Sequence, residues 1–193
     1  MAGRPRDPEL EKRLLAATWA LLTRDGYDDL TFAKVAEQAG AHRTDLYRRW
    51  PSKVQLVTAA VDVHQPPLRD VDAGSLHRDL RAILDSIEER WTSASADGIV
   101  AWIADLHRDP DAAVAHREMS VRGSAPLAKV LDRAVARGEI DPSMNDRVLV
   151  GHLLEGPVMH SHVFARRPMI AVELDMVAEV TCRLLAGAEQ GAR

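Results

Sequence analysis

Between residues 42 and 53 the chain carries Arg43, Arg48, Arg49 and Lys53 against a single acid, Asp45. Cations gathered at that density suit a polyanionic partner. The bias is local. Residues 1–60 hold ten Lys/Arg against eight Asp/Glu, whereas residues 61–193 hold fifteen against twenty-one, and the whole chain has a net charge of −4. A basic patch on an acidic chain is what a nucleic-acid-binding head on a body with another task would show.

The other reactive side chains form no catalytic pattern. His152, Glu155, His160 and His162 invite a metal reading, but no two of the histidines stand four apart, and His160 and His162 point to different sides of a helix. Cys182 is the only cysteine, which excludes an internal disulfide and a cysteine metal cluster. On an apolar helix it reads as a small buried residue. There is no Gly-rich phosphate loop, nucleophile elbow or pair of catalytic carboxylates. The expectation is therefore no catalytic residues, no metal and no cofactor. No apolar run reaches the roughly 18 residues of a membrane span, and the polar N-terminus lacks a signal-peptide core. A cytoplasmic protein is expected.

The elements that must position the basic patch all read as helices; no sustained alternating strand pattern appears. Asp7-Pro8 forms an N-cap and first helical position, followed by the stripe Leu10, Leu14, Ala17 and Leu21, with Gly26 as the stop. A short helix from about Thr31 is ended by Gly40. Another covers about 43–49, and Pro51-Ser52 opens a fourth, with Ser52 and Gln55 at capping-box spacing. Gln65–Gly74, with Pro66-Pro67, is the candidate linker. Beyond it, helices are expected at about 75–92, 98–107, 111–137, 143–164 and 169–188, with Pro126 kinking or splitting the third of these and Gly156-Pro157 kinking its own. The fold class is all-α: a three-helix DNA-binding head over 1–64 and a larger helical body over 65–193.

Residues 30–53, LTFAKVAEQAGAHRTDLYRRWPSK, carry the informative spacing. Ala36 is small where a second helix crosses, Gly40 sits at the turn, and Val35, Ala39, Ala41 and Leu46 supply the apolar wedge. This is the helix-turn-helix pattern, whose second helix lies in the major groove. The chain here resembles the TetR family of bacterial regulators. That family's pattern runs Thr-x-x-x-Ile-Ala-x-x-Ala-Gly-Val-Ser, then Leu-Tyr-x-His-Phe-x-x-Lys. Thr31, Val35, Ala36, Ala39, Gly40, Leu46, Tyr47 and Lys53 stand in those places, with Trp50 for the phenylalanine. The resemblance is strong over about 10–60 and continues more weakly through Ala134–Ile140 and Leu154–Val158. His42 departs from the N-cap serine. Arg49 departs from the histidine, adding charge beside the tyrosine.

The resemblance implies roles for these residues. Thr31, Tyr47 and Lys53 would bind phosphates. Arg43 and Thr44 would touch base edges, the guanidinium at guanine O6 and N7 and the methyl at a thymine. Arg48 would do either. His42 would begin the recognition helix, and Trp50 would be packing. Arg4 and Arg6 form an arm that could reach the minor groove or a phosphate.

The resemblance also implies a ligand-binding and dimerising body. Its last helix offers the stripe Val172, Met176, Val180 and Leu184, widened by Ala171, Leu174, Ala178, Thr181 and Leu185. Its neighbour offers Val148, Leu149, Val150, Leu153 and Leu154, and two such helices would suit an intersubunit four-helix bundle. Candidates for a small-molecule pocket are Trp91, Trp102, Met119, His152, Glu155 and Met159. The reading is a DNA-binding transcriptional regulator: a homodimeric repressor on a near-palindromic operator of double-stranded DNA, released by an unidentified small-molecule effector. The alternatives are a helical metal-binding protein or enzyme using the histidines, and a DNA-binding protein with no ligand.

Overall fold

The computed structural model describes residues 7–93, 96–144 and 146–186. Ten α-helices and one 3-10 turn make up the regular structure there, and no described residue lies in a strand. The helices are α1 Pro8–Asp29, α2 Phe32–Ala39, α3 Arg43–Arg49, α4 Lys53–His64 and α5 Leu76–Ser93. They continue as α6 Ala96–Leu106, α7 Pro110–Gly123, α8 Ala125–Ala136, α9 Arg147–Val163 and α10 Ala171–Leu185. No described helix is long and apolar enough to cross a membrane.

Two compact units emerge. One contains the residues up to Gln65 with Ser93–Met119, and the other contains Pro66–Thr92 with the residues from Ser120 on. In the first unit α1 packs against α2, α4 and α6. Its centre is apolar: Leu14, Leu21, Leu30, Val35, Leu46, Leu56 and Val57 are fully buried. The indole of Trp102 on α6 buries itself there and donates to Thr58 Oγ1 at 3.1 Å, so its one polar atom is satisfied.

Local signals start and stop these helices. Asp7 caps α1 by accepting from the N–H groups of Glu9 and Leu10. Gly26 interrupts α1 at φ 82°, ψ 176°, a conformation essentially restricted to glycine, and the chain then makes a last short turn to Asp29. The expected stop is thus a break with a helical remnant beyond it. Ser52 caps α4 through the Gln55 N–H, but the Gln55 side chain does not return to close the box; its amide donates to Asp109 instead.

In the second unit, α8 packs on α9 and α9 on α10, around the buried Leu80, Ile83, Leu84, Leu131 and Leu154. The expected 111–137 helix is divided between α7 and α8, with Pro126 in the first turn of α8 as anticipated. By contrast, α9 continues through Pro157 as a single helix. The segment 66–75 has no regular structure, yet it is held at many points. Asp70 pairs with Lys129 at 2.8 Å and Arg133 at 3.0 Å, and Arg133 also donates to the Val71 carbonyl. The fully buried carboxylate of Asp79 takes the Ala73 N–H and the Arg137 guanidinium, the latter at 3.0 Å. A buried charge needs such a partner. Cys182 is half-buried, and burial pushes its thiol up to about 11.

α9 and α10 each have two apolar faces. Leu174, Ala178, Thr181 and Leu185 turn inward on α10, while Val172, Met176, Val180 and Leu184 are each at least half exposed. On α9 the inward set is Val150, Leu154, Val158 and Ser161, and Val148 and Leu149 are exposed.

Gly26 supports a direct test. A Cβ there meets no atom within 4 Å, so the cost of a side chain is conformational. Gly26→Ala should lower stability by about 1–3 kcal/mol. The expected signature is a lower urea midpoint with an unchanged m-value; an unchanged midpoint would show that the break is not strained.

Candidate nucleic-acid interface

The surface is built on α2, the turn at Gly40 and α3. Thr31 is the N-cap of α2 and accepts from the Lys34 N–H at 3.3 Å. Phe32, Val35 and Ala36 bury themselves behind it. Gly40 adopts φ 60°, ψ 44°, and the Ala41 N–H closes the helix end on the Ala36 carbonyl at 2.9 Å. This left-handed residue turns the chain so that Leu46 of α3 reaches the same core. Ala39 and Ala41 pack against that core from the turn, and Trp50 is buried at the end of α3. His42 precedes α3 and provides no side-chain cap.

What remains outside on α3 is polar. Arg43 and Thr44 are exposed on its first turn, and Arg43 forms no hydrogen bond or ion pair with any described residue. Arg48 is exposed and pairs with Asp45 at 3.0 Å. The Tyr47 ring rests on Phe32, centroid to centroid 4.6 Å, with the residue still 58% exposed. Because Phe32 follows Thr31, that ring contact seats Tyr47 beside the start of α2.

Arg49 behaves otherwise than its charge suggests. Its side chain is only 4% exposed and donates to the Asp45 carbonyl at 3.0 Å, with Asp45 and Glu11 carboxylates both at 3.8 Å. The expectation that it adds charge beside Tyr47 is corrected: its guanidinium is spent inside the unit. One terminal nitrogen of the fork is bonded to a helix carbonyl and the two acids offset its charge from a distance, while its buried Nε is left without a hydrogen-bond partner.

Lys53 occupies a specific seat. Its Nζ donates to the Tyr27 carbonyl at 2.9 Å and lies 4.1 Å from the centroid of the Tyr27 ring. Tyr27 in turn donates its hydroxyl to Asp105 on α6 at 2.7 Å. Burial, then Asp105, pushes the phenol up, and the Tyr27 hydrogen bond holds the Asp105 carboxyl below its ordinary value. Beside it, Asp109 accepts from the Ser52 hydroxyl at 2.6 Å and from the Gln55 amide, and Ser52 is the chief cause of its lowered pKa. Tyr27, Asp105 and Asp109 were not legible as site residues in the sequence, because their partners are 78, 57 and 54 positions away. Arg4 and Arg6 lie outside the described residues.

The six pocket candidates divide between the units. Trp102 and Met119 belong to the first, in and against its apolar core. In the second, Trp91 is buried with its ring 6.0 Å from that of His162, which itself bonds Glu88 at 2.6 Å. His152, Glu155 and Met159 are exposed on α9.

Comparison with known proteins agrees with this geometry. Residues 14–60 match the family described as bacterial regulatory proteins, tetR family. Residues 70–181 match the tetracyclin repressor-like C-terminal domain. The chain is 34% identical over 180 residues to the HTH-type transcriptional regulator Rv1556 of Mycobacterium tuberculosis, covering 87% of this chain and 85% of the relative. It is 33% identical over 150 residues to the DNA-binding transcriptional repressor TetR of Mycobacteroides abscessus, covering 76% and 78% respectively. Among solved structures, the TetR family transcription regulator SCO0332 superposes with a TM-score of 0.72 at 27% identity, over 91% of this chain and 97% of that one. The helix-turn-helix with its exposed α3, the further helical unit and these likenesses agree: the chain belongs to the TetR family and is a DNA-binding transcriptional regulator.

Proposed function

We propose that this regulator is a repressor: a homodimer, active in the cytoplasm, that occupies a near-palindromic operator until a small molecule weakens its hold. The DNA-binding part is residues 1–64, and residues 65–193 bind the effector and the second subunit. The observation that carries the DNA reading is the division of the arginines near α3. Arg49 is consumed internally, whereas Arg43 projects from the first turn with no partner among the described residues. An unneutralised guanidinium at the start of a recognition helix suits bidentate contact with guanine. Thr44 beside it offers a methyl, and His42 begins the same turn. Thr31, Tyr47 and Lys53 surround the α1–α2 corner and suit phosphates, which position the head without reading sequence. Arg48, already leaning on Asp45, serves the same surface.

The repressor reading is supported by the relative named a DNA-binding transcriptional repressor. Release needs only an effector that prefers a dimer whose two α3 helices no longer match successive major grooves. The most direct experiment selects binding sites from random duplexes with the purified protein. An enriched inverted repeat supports the reading, and a selection without one overturns it.

The two classes of contact should separate on mutation. Lys53→Ala should weaken specific and non-specific duplexes alike and lower the salt slope of binding by about 0.9. Arg43→Ala should instead lose about 1–3 kcal/mol at one base pair per half-site. A uniform loss across operator variants would move Arg43 to the phosphate class.

The dimer has its own test. One helix-turn-helix reads too few base pairs to be selective, so two must be held a helical turn or more apart. The outward stripe of α10, continued by α9, is an apolar surface that a symmetric copy would cover. Val180→Glu combined with Leu184→Glu should yield monomer by light scattering and reduce operator affinity by orders of magnitude, with residues 30–53 untouched. A double variant that stays a tight dimer places the interface elsewhere.

A further inference from the structure

The reading of Lys53 as a phosphate contact leaves open what holds its long, flexible side chain in place. Tyr27 occupies two sides of the ammonium at once, with its carbonyl at 2.9 Å and its ring centroid at 4.1 Å. One of the three N–H donors is used by the carbonyl, leaving two for phosphate oxygens. Tyr27 itself is 2% exposed, and its far end is anchored by the bond to Asp105 at 2.7 Å. Tyr27 directly follows the break at Gly26 and is buried.

We propose that Asp105 is a positioning residue of the DNA contact: its carboxylate holds Tyr27, and Tyr27 holds the Lys53 ammonium where a phosphate can take it. The proposal rests on the phosphate role of Lys53. It is opposed in sign to plain electrostatics. An acid near a polyanion repels it, so removing Asp105 should strengthen DNA binding if the carboxylate acts only as a charge. If it positions Lys53, removing it should weaken binding.

The test uses the full-length protein and a mixed-sequence duplex, with affinity read by fluorescence anisotropy across a range of salt. Tyr27→Phe keeps the ring and the carbonyl but removes the anchoring hydroxyl; Asp105→Ala removes the acceptor. Each should weaken binding by about three- to tenfold and reduce the salt slope. Asp105→Asn, whose amide oxygen can still accept from the phenol, should recover most of the loss. In a Lys53→Ala background neither Tyr27→Phe nor Asp105→Ala should have further effect, because the group they act through is gone. Thermal midpoints are measured on every variant. A lowered midpoint with an unchanged salt slope would mean a structural role only and overturn the proposal. So would tighter binding by Asp105→Ala, or losses that add in full to that of Lys53→Ala. If Lys53→Ala itself leaves affinity and slope unchanged, the phosphate role of Lys53 fails, which is a different result from a normal Lys53→Ala loss with silent Tyr27→Phe and Asp105→Ala.

Discussion

Helices of eight and seven residues do not persist alone in water, yet α2 and α3, which present the DNA surface, are that short. Their geometry rests on the apolar core that they share with α1, α4 and α6, α2 packing directly on α1. Val35 and Leu46, one from each short helix, are completely buried in it. Gly40 provides the left-handed turn that lets both reach the same place. The outward direction of Arg43, Thr44 and Tyr47 follows from which residues of α2 and α3 that core takes in.

A chain with a net charge of −4 must also keep its acids away from a phosphate surface. In the first unit several of them are engaged in internal bonds. Asp105 and Asp109 accept from Tyr27, Ser52 and Gln55, and Asp45 leans on Arg48 and Arg49. Each acid so used also fixes a segment of the head. In the second unit, Asp70, Asp72 and Asp79 are taken up by Lys129, Arg133 and Arg137, which staples the segment following α4 to α8. Much of the acidic excess therefore serves internal bonding, and the local basic character of 42–53 persists beside it.

The second unit shows how apolar residues can outnumber the places available inside. Residues at spacing four on α10 divide cleanly into an inward set and an exposed set. Val172, Met176, Val180 and Leu184 stand in water with no partner within the unit that would explain their type. A surface of this kind is costly for an isolated chain and reasonable for one that associates.

Sequence alone determined the all-helical class, the helix starts at Asp7, Thr31 and Ser52, the turn at Gly40 and the helix-turn-helix itself; it marked Gly26 as a stop, where the structure has a break with a last helical turn beyond it. These depend on residues within about four positions of one another, where backbone sterics and capping bonds act. Periodicity also identified the apolar stripe of α10, but not which half of it faces in, since both halves are apolar. Tertiary structure decided the rest. Arg49 reads as a surface cation until the acids around it are in place. Gln55 has capping-box spacing until Asp109, 54 residues away, offers a charged acceptor. Lys53 reads as a free ammonium until Tyr27, 26 residues away, is turned toward it. α6 follows the linker in sequence, yet it joins the compact unit of α1–α4. Each of these outcomes is a choice among long-range partners of similar chemistry, and only the packed core brings one of them within bonding distance.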